Sequence, residues 1–241
     1  MRGVRLALLV LCTVGSSAEG MVLCARRSGV VVLRQSCKRK ETRLPISIED
    51  GGATVQFTGV NVQIVSGGGT TDASPNGRGN VIIGYDANTG NHDRSGSHNL
   101  VIGDEHTYSS YGGLVAGSTN AITGPSACVT GGNGNTASGF HASVSGGAGN
   151  IASGTTSSVS GGMKNVASDE SASVSGGAGN HAAANAAWAA GGQNNSAMAF
   201  GAAVGGGVQN TASGDGSSVS GGMNVSVASP NGWAAGGLHS P

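Results

Sequence analysis

The sequence predicts an all-β protein whose main body is a parallel β-solenoid built from coils of about 15 residues. Glycine pairs recur at a constant spacing of 15 residues, and the first glycines of these pairs are Gly131, Gly146, Gly161, Gly176, Gly191, Gly206, Gly221 and Gly236. Within each interval Val or Ala recurs at one position between small polar residues, which is the alternation of a β-strand. Because a loop can vary in length and a stacked coil cannot, this constant spacing indicates stacked coils.

Residues 1–18 have the pattern of a secretory signal peptide. Arg2 and Arg5 precede the apolar stretch Leu6–Val14, which is too short to span a bilayer, and small residues follow at Ser16–Ala18. No later segment is apolar enough for a membrane helix. We therefore expect an exported chain with no integral membrane segment after signal cleavage.

Residues 19–45 are predicted to form a small module closed by a disulfide bond. Cys24 and Cys37 flank a segment that has the pattern of a turn leading into a strand. A disulfide between them would close a small loop and contribute about 3 kcal/mol to stability. A zinc site is the alternative, but two cysteines without a nearby histidine make an incomplete ligand set. The sequence does not indicate a role for Cys128.

Charge is distributed unevenly along the chain, although the formal net charge is zero. Residues 21–44 carry seven basic side chains against Glu41, a balance of +6, and residues 45–241 carry three basic against ten acidic groups, a balance of −7. The pattern predicts a basic cap that meets either anionic envelope polymers, the body of the protein itself, or solvent alone. The basic residues lack interleaved aromatic residues, so we expect no nucleic-acid partner.

Residues 46–80 are predicted to form a Gly-rich connector that contains strands. The stretches Val55–Phe57 and Val60–Ile64 alternate apolar and polar residues, which predicts half-buried strands. Residues 81–130 are then predicted to form irregular early coils, beginning at Val81, Leu100 and Leu114 with spacings of 19 and 14 residues. The extra residues of the longer interval predict a loop around Asn88–Ser97.

Residues 131–241 are predicted to be regular coils, each with two short strands and two tight turns. One inward column comprises Val144, Val159, Val174, Val204 and Val219, and Asn135, Asn150, Asn165, Asn180, Asn195 and Asn210 form a second column in the turns. Stacked Asn side chains can hydrogen-bond along the axis and to turn backbone. A core of one Val and Ala layer is thin for a single chain, which favours association of several chains. Trp188 and Trp233 replace the outward Ser three coils apart and are candidate contact residues.

The repeat Ser-Val-Ser-Gly-Gly-x-x-Asn-x-Ala-Ser-Gly resembles the head repeats of YadA-like trimeric autotransporter adhesins. The resemblance covers residues 81–237. It implies a left-handed β-roll, a homotrimer, and an adhesive role at the bacterial cell surface or outside the cell, with a host or envelope surface ligand as partner. The N-terminal module is similar to segments of exported bacterial repeat proteins. From this resemblance we expect no membrane anchor, no cofactor, no metal and no catalytic residue in this chain. We expect the chain not to be an enzyme.

The sequence supports three alternative functions less well than the adhesive one. Hexapeptide acyltransferase coils run in multiples of six, which a 15-residue period does not fit. The stretch Asp86–Asp93 resembles the start of a calcium loop, but Ser97 stands where the closing acidic residue is needed. The runner-up function is a carbohydrate-binding or glycan-processing solenoid that uses the irregular coils at 84–117. Its candidate groups are Tyr108, Tyr111, Asp86, Asp93, Asp104 and Glu105.

Overall fold

The computed structural model describes residues 21–28, 31–49 and 53–236, and the expected signal peptide therefore lies outside the described residues. The chain divides into two compact units with the boundary between Gln63 and Ile64. The prediction of an all-β protein is confirmed, because the described residues form strands, turns and bends but no helix.

The first unit contains a four-stranded antiparallel sheet. Its strands are β1 (Met21–Arg26), β2 (Val31–Arg34), β3 (Glu41–Glu49) and β4 (Thr54–Phe57), in the order β2-β1-β3-β4. The predicted disulfide between Cys24 and Cys37 is confirmed, with the two Cα atoms 5.5 Å apart. It ties the middle of β1 to the segment that leads into β3.

The second predicted strand of the connector, Val60–Ile64, is wrong. This segment forms no strand, and its apolar side chains are exposed. Strand β4 ends at Phe57, and Gly59 then takes a left-handed conformation with φ of 68°, which turns the backbone out of an extended path. An alternating pattern stabilises a strand only where a neighbouring strand pairs with it, and the pattern alone does not reveal that partner.

The second unit is a parallel β-solenoid of about ten turns, as predicted. Its strands are β5 (Val81–Ile83), β6 (Leu100–Asp104), β7 (Thr107–Tyr108), β8 (Leu114–Ser118), β9 (Ala121–Ile122), β10 (Cys128–Val129), β11 (Thr136–Ala137), β12 (Ser143–Val144), β13 (Ile151–Ala152), β14 (Ser158–Val159), β15 (Val166–Ala167), β16 (Ser173–Val174), β17 (His181–Ala182), β18 (Trp188–Ala189), β19 (Ser196–Ala197), β20 (Ala203–Val204), β21 (Thr211–Ala212), β22 (Ser218–Val219), β23 (Ser226–Val227) and β24 (Trp233–Ala234). The even-numbered strands from β6 onward, together with β5, form the first sheet, and the odd-numbered strands from β7 onward form the second.

Each strand pairs with the strand one coil further along the chain. In the first sheet Ser143 lies opposite Ser158, and in the second sheet Ala152 lies opposite Ala167, a shift of one 15-residue coil in both. This register places equivalent residues of successive coils in columns. The first coil lacks a strand of the second sheet, and a loop fills residues 85–96 instead, where the sequence predicts extra residues.

Two inward strand columns form most of the hydrophobic core, and the turn before the first-sheet strand adds a third column, with the buried Ala127, Ala142, Ala172, Ala187 and Ala202. The first sheet contributes Val101, Val115, Val129, Val144, Val159, Val174, Ala189, Val204 and Val219, and the second contributes Tyr108, Ile122, Ala137, Ala152, Ala167, Ala182, Ala197, Ala212 and Val227. Apart from the ends, the second sheet contributes only a methyl group per coil. The two sheets therefore bury little apolar surface per residue.

A column of fully buried asparagines provides hydrogen-bond partners for backbone groups of the turn between the two sheets. Asn165 shows the pattern: its Nδ2 donates to the carbonyl oxygens of Gly161 (2.8 Å) and Gly177 (3.0 Å), and its Oδ1 accepts the backbone N–H of Asn180 (2.9 Å). The members of the column are Asn120, Asn135, Asn150, Asn165, Asn180, Asn195 and Asn210. Each amide thus links its own coil to the next one, and both its nitrogen and its oxygen have hydrogen-bond partners.

Candidate functional site

The outward face of the first sheet carries a column that changes character along the solenoid. Its residues are Leu100, Leu114, Cys128, Ser143, Ser158, Ser173, Trp188, Ala203, Ser218 and Trp233, in order of the coils. The first three coils present larger side chains, the middle coils present hydroxyls, and the last coils present two indoles among small residues. The two indoles, Trp188 and Trp233, lie three coils apart in this column, and a second pair of exposed aromatic residues, Phe140 and Phe200, lies four coils apart in a turn column.

The two tryptophans are held in the same geometry. The indole Nε1 of Trp188 donates to the Oγ of Ser175 (3.2 Å), and that of Trp233 donates to the Oγ of Ser220 (2.8 Å), in both cases 13 residues earlier. Trp188 is 43% exposed and Trp233 is 69% exposed. Because each N–H is tied to the preceding coil, each ring is positioned against its sheet and presents its remaining surface outward.

The loop of the first coil contains Asp86 and Asp93, two of the four carboxylates that sequence analysis assigned to the runner-up function, and Asp104 and Glu105 lie at the end of β6 and directly after it. The Oδ2 of Asp86 accepts the hydroxyl hydrogen of Tyr108 (2.8 Å), while its Oδ1 lies 3.3 Å from the guanidinium of Arg94. Arg94 also donates to the carbonyl oxygens of Asp86, Ala87 and His106. Burial, followed by the hydrogen bond to Asp86, raises the pKa of Tyr108 to about 12.

The remaining carboxylates of this region hold the loop backbone. Glu105 accepts the backbone N–H groups of Thr89 (2.9 Å) and Gly90 (3.2 Å) and lies 3.3 Å from the His92 Nε2. The Thr89 backbone bond is the main cause that lowers the pKa of Glu105. Asp104 accepts the N–H of Ala87 at 2.9 Å.

Asp93 has a similar local role. Its Oδ1 accepts the N–H of Ser95 at 2.9 Å, and this backbone bond is the main cause that lowers its pKa. All four candidate carboxylates of the runner-up function are therefore engaged with the loop or with neighbouring side chains. They do not converge on a shared open position.

Tyr108 is not a surface contact residue, which corrects the sequence-based assignment. Its side chain is 3% exposed because it occupies the first position of the inward column of the second sheet. Tyr111 is partly exposed at a turn, where its carbonyl oxygen accepts the N–H of Ser126 at 2.8 Å. The two tyrosines therefore do not form a common aromatic surface.

Sequence analysis did not place His106 in the asparagine column, where it lies fully buried one coil before Asn120. A signal was present. Asn120 is the third residue after Gly117, and His106 is the third residue after Gly103. Alignment of the early coils on these glycines would have placed the histidine in the column.

Among residues 21–28, 31–49 and 53–236, no group of three or more His, Cys, Asp or Glu side chains is arranged to hold a metal ion. The same part of the chain contains no helix of the length and apolar character needed to cross a membrane. No protein-family model matches the chain, and no curated protein matches it.

Proposed function

We propose that this chain is an exported structural or adhesive surface protein whose solenoid associates into a homotrimeric β-roll and acts by binding rather than by catalysis. The observation that carries the proposal is the pair Trp188 and Trp233, exposed in one column and tied in the same way to the preceding coil. Rigid aromatic side chains on an otherwise small-residue face are typical anchors of protein contacts.

The thin core supports self-association. Each regular coil buries one Val or Ala from the first sheet, one small apolar residue from the second and, in most coils, one Ala from the turn before the first-sheet strand. A single chain with so little apolar burial per residue gains stability when copies cover its outward faces. The resemblance of the repeat to YadA-like adhesin heads supports three copies, a left-handed coil and a location outside the cell or on the bacterial surface. The burial of Tyr108 removes one of the two aromatic groups assigned to the runner-up glycan function.

The experiment is a measurement of solution mass on the chain that begins at Glu19, the expected mature form. Light scattering after size-exclusion chromatography gives three times the monomer mass, unchanged on dilution, if the proposal holds. A folded monomer or a dimer would overturn the trimer.

The contact surface is tested by Trp188→Ser together with Trp233→Ser, since Ser occupies this column in neighbouring coils. We expect this double variant to shift the mass toward the monomer while its β-sheet circular dichroism remains. Met198→Ser is the matched control, because Met198 is 54% exposed outside the tryptophan column. An unchanged mass in the tryptophan variant would show that this column is not the contact.

A further inference from the structure

The first unit contains an open cleft of about 570 Å³ that is lined mainly by the stems of basic side chains. Its lining residues are Arg26, Arg27, Arg34, Lys38, Arg39, Lys40 and Glu41. Six basic side chains against one carboxylate leave a balance of +5 in this cleft. A concave cationic surface focuses the electrostatic potential and raises the local concentration of anions.

Glu41 organises this cleft from within. Its Oε1 lies 3.3 Å from the Nε of Arg26 on β1, its Oε2 lies 3.0 Å from the Nε of Arg34 on β2, and its Oε2 accepts the N–H of Lys38 at 3.0 Å. The hydrogen bond from the Lys38 backbone is the main cause that lowers the pKa of Glu41. One carboxylate thus joins β1, β2 and the segment before β3, and it brings the surrounding cations together.

Four cations of the cleft are not used by this network. Among the described residues, the side chains of Arg27, Lys38, Arg39 and Lys40 form no ion pair or hydrogen bond with the rest of the protein. All four side chains are exposed. The cleft therefore holds more donors and positive charge than the protein itself engages.

We propose that this cleft binds an anionic polysaccharide that carries sulfate or phosphate esters. Arginine guanidinium groups donate in pairs to the oxygens of such esters, and four of the six cations are arginines. Among the described residues of the first unit, the cleft is lined by no aromatic side chain on which a nucleic-acid base could stack, which favours a polysaccharide over a single-stranded nucleic acid. The proposal concerns the first unit alone and does not depend on association of the solenoid.

The disulfide pre-organises this site. Cys37 directly precedes Lys38, and its bond to Cys24 holds the segment Lys38–Lys40 beside β1. A ligand that meets cations already held together loses less conformational entropy than one that must gather a flexible basic segment. Binding should consequently depend on the disulfide as well as on the charges.

The first experiment measures binding of the full chain to heparin, to phosphorylated dextran and to uncharged dextran at several salt concentrations. We expect binding to one or both charged polymers and none to dextran, and the comparison of the two distinguishes sulfate from phosphate esters. In Arg27→Gln/Arg39→Gln/Lys40→Gln the affinity should fall about thirtyfold, and the slope of log affinity against log salt should fall by about 2 to 3.

The control Arg43→Gln/Arg78→Gln/Lys164→Gln removes the same charge from exposed positions outside the cleft and should bind like the wild type. Equal losses of affinity in the two triple variants would show that binding depends on net charge rather than on the cleft, and would overturn the proposal. A wild-type affinity in the cleft variant would also overturn it. Tighter binding of a single-stranded oligonucleotide or of anionic lipid vesicles than of either polysaccharide would assign the cleft to another class of partner.

A second experiment separates a built cleft from a merely basic segment. Cys24→Ser/Cys37→Ser retains every charge, and we expect at least a tenfold loss of affinity for the preferred polysaccharide while the solenoid signal in circular dichroism persists. Unchanged affinity in this variant would show that the pre-organised cleft is not the binding element.

Discussion

The imidazole Nδ1 of His106 lies 3.2 Å from the backbone nitrogen of Asn120 and accepts its N–H, while the Nε2 of His106 lies 3.1 Å from the carbonyl oxygen of Ile102. These contacts require a neutral ring with its hydrogen on Nε2. They match two of the bonds that each asparagine of the column makes, to the carbonyl four residues earlier and to the N–H of the next coil. His106 therefore occupies the position before Asn120 in the asparagine column, with an imidazole in place of the amide.

This equivalence predicts that His106→Asn preserves the fold and that His106→Ala does not. An amide can donate to Ile102 and accept from Asn120, whereas a methyl group leaves both buried groups without a partner and opens a cavity. We expect His106→Ala to lower the free energy of unfolding by about 2–4 kcal/mol and His106→Asn by less than about 1.5 kcal/mol. Urea denaturation of both variants measures this difference, and equal losses would contradict the role of His106 in the asparagine column.

Substitution of an asparagine in the middle of the asparagine column should destabilise the protein more than substitution of an exposed asparagine nearby. Asn165→Ala removes the side-chain donor to the Gly161 carbonyl, one of two donors to the Gly177 carbonyl, and the acceptor for the buried Asn180 N–H. We therefore expect a loss of about 2–4 kcal/mol in the free energy of unfolding. Asn133→Ala is the matched control, because Asn133 is exposed in the same type of turn and its change should cost less than about 0.5 kcal/mol. A similar small effect at both positions would show that the asparagine column adds little stability.

The two glycines of one pair should respond differently to alanine. Gly192 has φ of 81°, and an added Cβ would lie inside van der Waals contact with the carbonyl oxygen of Gly207 on the next coil. At Gly191 an added Cβ would have no heavy atom within 4 Å, and the backbone is not in the left-handed region. We expect Gly192→Ala to lower the free energy of unfolding by more than about 3 kcal/mol and Gly191→Ala by less than about 1 kcal/mol. Thermal denaturation compares the two, and equal melting temperatures would argue against the close approach of the coils.

Tyr108 should make stability decline in alkaline solution. Its pKa is raised to about 12 in the folded protein, mainly by burial, against an ordinary value of 10. The unfolded chain therefore loses the phenol proton at a lower pH than the folded chain does. The contribution of Tyr108 is fully present below about pH 10 and is lost as the pH rises towards 12.

The measurement is the free energy of unfolding of the wild type and of Tyr108→Phe between pH 8 and pH 11.5. The difference between them should stay constant up to about pH 10 and then change in favour of the phenylalanine variant. A difference that stays constant throughout this range would show that the phenol titrates alike in the folded and unfolded chains.

Much of the fold could be predicted from the sequence because the period is a local property. A constant 15-residue spacing of Gly, Val and Asn requires stacked coils, and the extra residues before Leu100 require a loop outside them. The pairing of Cys24 with Cys37 followed from the small number of cysteines in the module. The strand predicted at Val60–Ile64 failed because its stability depends on a neighbouring strand that the local pattern does not encode.

The candidate sites were less accessible to such reasoning because they depend on which residues meet across coils. The sequence by itself determined the solenoid, its coil length, the inward valines and the position of both tryptophans in one outward column. Only the tertiary structure placed Tyr108 in the core, engaged the loop carboxylates with backbone N–H groups, and gathered Arg26, Arg34 and Lys38 around Glu41. A repeat fixes the environment of a residue through its column, whereas in a loop or a small module the environment is set by long-range contacts that have no period.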